Sequence, residues 1–309
     1  MRSEGLFLTD LHIHTTASDG TLTPAEAVRE AHRAGIAVMA VTDHDTVDGV
    51  AESMKEAGRW GVLVIPGVEI SVRSEAEMHI LGYFHPQIWP QVFSGFAQWM
   101  QLFKERRNTR NTRILDHLNR YGMALSMEDV LREARGDIIS RLHIAGALVA
   151  KGYEDSISDA FSRHIGKGCH AYEPKEVLTP TEGIRLITTS GGLAVLAHPC
   201  SLNLPEEDLA DQVEAMRNNG LAGLEAIYWD YDEPTTERLK KLASRLGLLV
   251  TAGSDFHGKF RDGCALGVGK GNMRAGPEIA EPLLASLREA YISRTESSFS
   301  ADGLENSVI

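Results

Sequence analysis

The chain has 309 residues, 43% hydrophobic and 24% charged, which excludes a wholly disordered polypeptide. A chain of this length buries about three quarters of its unfolded surface and needs no disulfide or partner to fold. The formal net charge of −12 disfavours nonspecific attachment to a nucleic-acid backbone, although bound metal ions can reverse the sign locally.

Cys169, Cys200 and Cys264 are too few and too scattered for a disulfide framework. None lies in a C-x-x-C, so a thiolate zinc site is not expected. The opening residues form no apolar leader, and no run approaches the ~18 apolar residues of a membrane span. These features predict a soluble, cytoplasmic protein with no membrane association.

Taken in order, apolar runs fall at Leu6–Leu11, Ile36–Thr42, Val62–Ile65, Met78–Tyr83, Leu193–Ala197, Gly223–Tyr228 and Leu248–Ala252. Helical signals separate most of them, which predicts a mostly parallel sheet covered by helices. Thr23-Pro24-Ala25-Glu26 and Thr179-Pro180-Thr181-Glu182 read as capping boxes, and Gly35 and Gly191 as helix stops. Asp45 reads as the cap of the helix that follows it.

Residues 88–178 lack strand signals. Phe93–Tyr121 reads as a helix with Phe96, Met100 and Phe103 on its apolar side. Lys104, Arg106, Arg107, Arg110, Arg113 and Arg120 make its other side basic. Further helices are expected at Arg141–Lys151 and Ser156–Ile165. The expected organisation is a barrel domain of residues 1–87 and 179–294, a helical, substrate-binding insertion of 88–178, and a flexible tail of 295–309.

The chain has 12 histidines, and six of them fall at or beside predicted strand ends. His12 and His14 have the i, i+2 spacing that puts two imidazoles on one face of a strand. Asp19 follows them. His44 comes after the second run and Glu69 after the third; His79 opens the next segment. His198 closes Ala-His-Pro, and Asp255 and His257 repeat the i, i+2 spacing. Taken singly, several have structural readings, such as Asp19 in a turn or His198 on a backbone carbonyl.

Converging on one barrel rim, nine such groups exceed the needs of one metal. They suit two or three divalent ions with open positions for water and substrate. The absence of sulfur argues for manganese, iron or zinc over soft-metal sites, and manganese is the first expectation. Three divalent ions against three carboxylates would leave a cationic site suited to a phosphate ester.

The segments Asp10–Gly20 (DLHIHTTASDG), Val41–Gly49 (VTDHDTVDG), Gly67–Ser71 (GVEIS), His79–Gly82 (HILG), Ala197–Pro199 (AHP) and Gly253–Gly258 (GSDFHG) together resemble the PHP (polymerase and histidinol phosphatase) superfamily. The resemblance implies a distorted seven-stranded β/α, TIM-like barrel. It implies one ion held by His12, His14, Glu69 and Asp255, a second by Glu69, His79 and His198, and a third by Asp19, His44 and His257. Asp255, Glu69 and His198 are then the expected catalytic residues.

Within the superfamily, the chain is most similar to phosphoesterases with a helical insertion, the 3′,5′-nucleoside bisphosphate phosphatase and ribonuclease AM types. On the strength of Ile139–Ala145 (ISRLHIA) and Gly166-Lys167-Gly168, that similarity implies Ser140, Arg141 and Lys167 as ligands of a nonreacting phosphate. His143 in the same segment is a further candidate for substrate contact or proton donation.

The expected activity is hydrolysis of a phosphate monoester by a metal-bridging hydroxide, with the 3′-phosphate of nucleoside 3′,5′-bisphosphates first. Alternative substrates are short RNA cleaved 5′→3′, histidinol phosphate and a cyclic ribose phosphate. A non-catalytic metal-binding accessory module and an amidohydrolase are readings of other classes. The expected partner is a small phosphorylated molecule, with no obligate protein partner.

Overall fold

The computed structural model describes residues 7–134, 139–174 and 177–305, apart from the side chains of 90–95, 97–98 and 295–305. The expected strand residue Leu6 and the last four residues of the expected tail lie outside it. Seven strands stand side by side in chain order. They are β1 (Leu8–Ile13), β2 (Ile36–Val41), β3 (Leu63–Val72), β4 (Met78–Tyr83), β5 (Leu193–Leu196), β6 (Leu221–Tyr228) and β7 (Leu249–Gly253). A bridge between Ile13 and Phe256, with the His14 N–H donating to the Phe256 carbonyl at 3.1 Å, joins the two edges into a distorted TIM-like barrel.

The sheet is parallel from β1 to β3 and from β5 to β7, but β4 runs antiparallel to both neighbours. Only a short turn joins β3 to β4, too short for the crossover helix a parallel connection needs. The reversal explains the odd placement of His79. It stands at the start of its strand, yet the start of a reversed strand lies at the rim where the other strands end.

Helices α1 (Pro24–Arg33), α2 (Val50–Trp60), α7 (Pro180–Thr189), α8 (Glu206–Asn218) and α9 (Glu233–Leu246) pack on the barrel. Thr23 and Thr179 form the expected capping boxes with Glu26 and Glu182. Gly35 and Gly191 take left-handed φ of 78° and 84° where α1 and α7 turn into their strands. Inside the barrel, Leu11, Ala40, Ile65, Leu81, Val195 and Ala252 pack together. Ile279, Leu283 and Leu287 of α10 (Pro277–Glu305) join that cluster, and Thr9 at the start of β1 bonds to Ala275 and Gly276. α10 thus closes the end opposite the rim. It extends through 295–305, where a flexible tail is expected from sequence.

Between β4 and α7 lie α3 (Trp89–Arg120), α4 (Met127–Glu133), α5 (Arg141–Ala150) and α6 (Ile157–Ala160), which runs into a π-helical turn at Phe161–Ile165. These helices have a core of their own, including Ile114, Leu118, Val130, Ile144, Leu148 and Ile165. The sequence reading misses α4 and treats α6 and the π-turn as one regular helix. The seven residues of α4 are too few to show helical periodicity; its Ser126–Asp129 capping box was the available signal.

Candidate active site

Five parallel strands and one reversed strand deliver the nine predicted groups to one rim. His12 lies on β1 and His14 just beyond it, His44 follows β2, and Glu69 lies in the distal half of β3. His79 is the second residue of β4, His198 follows β5, and Asp255 and His257 follow β7. Asp19 comes from the loop after β1. Eight of the nine are buried; His44, with 14% of its side chain exposed, is the most open. His198 and Asp255 take left-handed φ of 26° and 50°, a strained backbone that aims their side chains inward.

Three sets have ligand atoms within 4.8 Å of one another: His14, Asp19, His44 and His257; His12, His14 and Glu69; and His44, Glu69 and His79. Asp255 Oδ1 lies 3.1 Å from His14 Nε2 and 3.4 Å from His12 Nε2, alongside the second set. His198 Nε2 lies 3.1 Å from Glu69 Oε1 and 3.2 Å from His79 Nδ1. The grouping differs from the sequence expectation in two respects: His14 also joins Asp19, His44 and His257, and His44 is within 2.8 Å of Glu69, so each faces two sets rather than one.

The donor set fits cations. His44 Nδ1, Glu69 Oε2 and Asp255 Oδ1 are buried without a hydrogen-bond partner, although charged neighbours surround them. His12 Nε2 and His14 Nε2 are only 3.1 Å apart. Converging lone pairs of this kind are stabilised by a shared positive charge.

In the metal-free chain, protons supply part of that charge. Burial works against a charged His14, yet Asp255 and Glu69 overcome it and raise its pKa to about 10. The same opposition raises His12 through Glu225, Asp255 and Glu69. Burial also opposes ionisation of Glu69, but His44, His79 and His12 hold its carboxyl well below the usual range. Asp19 is held low by His44 and His257, against burial.

A second layer orients the donors. Glu225 on β6 is fully buried, with Oε1 3.0 Å from His12 Nδ1 and Oε2 accepting from the His198 N–H at 2.7 Å. Asp255 Oδ2 accepts from the Tyr228 hydroxyl and from Arg261, each at 2.6 Å. Sequence reading missed Glu225, Tyr228 and Arg261, because a lone acidic or aromatic residue in an apolar strand, or a lone arginine in a loop, carries no spacing signal.

The cluster opens into a cavity of about 890 Å³, large enough for a nucleotide-sized ligand. Ser140, Arg141 and Lys167 line it, as do Arg107 and Arg110 of α3. Arg107 and Arg110 are therefore turned inward, not along an exposed basic side of the helix. Arg110 is buried with no partner for Nε. Burial, then Arg107 and Arg141, push its ionisation down to about 9. Asp45 and Tyr172 work in the other direction without cancelling this.

The candidate residues also make contacts within the protein. Ser140 caps α5, its Oγ accepting from the Leu142 N–H at 3.1 Å. Arg141 donates to the Ile165 carbonyl at 3.2 Å and packs on Phe161 and Tyr172. Lys167 bonds to the Glu75 carbonyl. His143 is not among the cavity-lining residues, and its Nδ1 accepts from the Ser140 N–H at 3.2 Å. His198 has Ser201 Oγ 3.0 Å from its Nδ1 and Glu69 at its Nε2, so both ring nitrogens are engaged. Asp45 is not a helix cap: α2 starts at Val50 after Gly49, and the Asp45 carboxylate instead receives Ser71 and Arg107.

The barrel and its rim of imidazoles and carboxylates define a metal-dependent phosphoester hydrolase. The PHP domain model matches residues 10–166, about half the chain. The 5′-3′ exoribonuclease Rnm of Escherichia coli is 36% identical over 251 residues, 80% of this chain and 84% of that protein. The 3′,5′-nucleoside bisphosphate phosphatase of Chromobacterium violaceum is 29% identical over 92% of this chain and 98% of its own. A crystal structure described as a putative metal-dependent phosphoesterase from Bifidobacterium adolescentis superposes with a TM-score of 0.77 at 31% identity, over 88% of this chain and 94% of that one. The chain belongs to the PHP domain family. Among the described residues, no helix is long and apolar enough to cross a membrane.

Proposed function

We propose that the protein removes the 3′-phosphate from nucleoside 3′,5′-bisphosphates. The observation carrying this reading is the single cavity shared by the donor cluster and the guanidinium groups of Arg107, Arg110 and Arg141. A substrate with two phosphates can place one at each end. The likeness to a bisphosphate phosphatase over 92% of the chain supports it.

His12, His14, Glu69 and Asp255 would hold one divalent ion, Glu69, His79 and His198 a second, and Asp19, His44 and His257 a third. Manganese is the proposed metal and the cytoplasm the proposed location. Such ions lower the pKa of water and neutralise phosphoryl charge. The chain's own residues do the rest. Glu225 fixes the ring orientation of His12, and Arg261 with Tyr228 holds Asp255 ionised with Oδ1 free for ligation. Arg110 and Arg141, with Lys167 at the entrance, bind the remote phosphate, so that its binding energy positions the reacting one.

A second reading is 5′→3′ cleavage of short RNA, supported by the higher identity to the exoribonuclease. The deciding experiment measures phosphate release by the Mn²⁺-loaded protein from adenosine 3′,5′-bisphosphate and from AMP, beside mononucleotide release from a 5′-phosphorylated oligoribonucleotide. Turnover of the bisphosphate far above both others supports the proposal. Turnover confined to the oligoribonucleotide replaces it with the second reading.

A further inference from the structure

We propose that Arg107, on the insertion, is a positioning residue that sets the affinity of the barrel for one ion, that of Asp19, His44 and His257. The inference rests on reading those three as metal ligands. In how they are held they differ from His12, Glu69 and His79, though not from His14, His198 and Asp255, which also lie beyond their strands. His12, Glu69 and His79 lie on strands whose ladders fix their backbones. Asp19, His44 and His257 lie on loops, where ordering a ligand requires contacts from elsewhere.

For His44 those contacts come from β3, where the Asp45 N–H donates to the Glu69 carbonyl at 2.9 Å and the Glu69 N–H to the Asp43 carbonyl at 3.1 Å, and from the insertion. Arg107 is 8% exposed and reaches both the Asp45 carboxylate and the His44 carbonyl, the latter at 3.4 Å. Asp45 also accepts from the Ser71 N–H at 2.9 Å and the Ser71 hydroxyl at 3.2 Å. Its carboxylate therefore ties the His44 loop to β3 on one side and to α3 on the other. Asp45 has a left-handed φ of 51°, a conformation that holds only when neighbours enforce it.

The His257 loop is tied to the same insertion. Phe260 packs on His143 of α5 with ring centres 5.6 Å apart. Lys259 pairs with Glu133 of α4 at 3.0 Å, while its N–H donates to Thr21 Oγ1, two residues after Asp19, at 3.2 Å. The Lys259–Glu133 pair is solvent-exposed and adds little. The Arg107–Asp45 pair is buried, and breaking it takes a charge partner away from Asp45 inside the protein. Arg107 is therefore the decisive link, and the ion and the docked insertion stabilise each other reciprocally.

The test is equilibrium dialysis against Mn²⁺ without substrate, with bound metal counted per chain for the whole protein. Arg107→Ala should weaken one class of site at least tenfold and leave the others unchanged. Asp45→Asn should do the same, Arg107→Lys should recover part of the loss, and the exposed Arg113→Ala should match the parent. His44→Ala calibrates the experiment by removing that ion. If His44→Ala retains every ion, the ligand reading fails. If His44→Ala loses one ion while Arg107→Ala and Asp45→Asn bind all with parental affinity, the role of Arg107 is overturned and the ligands stand. Weakening of every class alike in a variant that circular dichroism shows folded also overturns it. Should Arg107→Ala not fold, Asp45→Asn decides by the same criteria.

Discussion

Nδ1 of His12 lies 3.0 Å from Oε1 of Glu225, and neither side chain reaches solvent. A buried carboxylate against the far nitrogen of an imidazole fixes the ring and turns Nε2 toward the cluster. The other oxygen of Glu225 holds the His198 backbone, so one side chain sets donors from β1 and from the end of β5. Glu225→Gln is expected to weaken metal affinity by about 10–100-fold with the fold intact. A Mn²⁺ titration read beside circular dichroism checks this, and parental affinity would remove Glu225 from the assignment.

Asp255 divides its two oxygens between Arg261 with Tyr228 and the imidazoles. Burial opposes its charge, but Arg261, His12 and His257 hold it well below the usual carboxylate range. Asp255→Ala and Glu69→Ala should abolish turnover. Arg261→Ala should lower kcat by roughly 10–100-fold through the loosened ligand, with Arg261→Lys between it and the parent. Steady-state kinetics at saturating Mn²⁺ decides; an active Glu69→Ala protein is incompatible with the proposed bridging ligand.

Arg110 offers a buried guanidinium without a partner at Nε. Charge-assisted hydrogen bonds contribute about 1.5–3 kcal/mol, so Arg110→Ala should raise KM for the bisphosphate by roughly 10–100-fold. Hydrolysis of a phosphate ester lacking the second phosphate should be nearly unaffected. Equal losses on both substrates would place Arg110 outside substrate recognition.

The pH response follows from the raised histidines. The folded pKa of His14 is about 10 against an ordinary 6.5. Protonation of His14 therefore stabilises the metal-free fold fully below about pH 6.5, and that contribution is lost as pH rises toward about 10. Metal must displace the same proton, so Mn²⁺ affinity should increase across this interval. Differential scanning calorimetry should show Tm of the chelated protein falling with pH while the increment from Mn²⁺ grows. An increment that is flat or shrinks with pH contradicts proton displacement.

Glu69 and Asp19 have the opposite sign, with burial opposing their charge and neighbouring histidines holding their folded pKa values low. Their contribution is present above the ordinary carboxylate pKa near 4 and is lost as pH falls through the depressed folded values. Mutation of Glu69 to Gln should flatten the acid limb of the stability profile. An unchanged acid limb in that variant would remove Glu69 as a source of acid sensitivity.

The sequence by itself determined which candidate ligands gather at the barrel rim, because their signals are local. The i, i+2 spacing of His12 and His14 at the end of β1 follows strand geometry, that of Asp255 and His257 marks the loop just after β7, and the capping boxes at Thr23 and Thr179 are read within four residues. Only the tertiary structure decided the partners of those ligands. Glu225 is 213 residues from His12, and Arg107 is 62 residues from Asp45. No periodicity links residues so far apart. They meet because the reversal of β4 and closure of the barrel bring them together, and because a buried charge that must find an opposite one takes whichever the fold delivers. The same physics placed Arg107 and Arg110, two members of the basic side of α3, in the wall of the cavity.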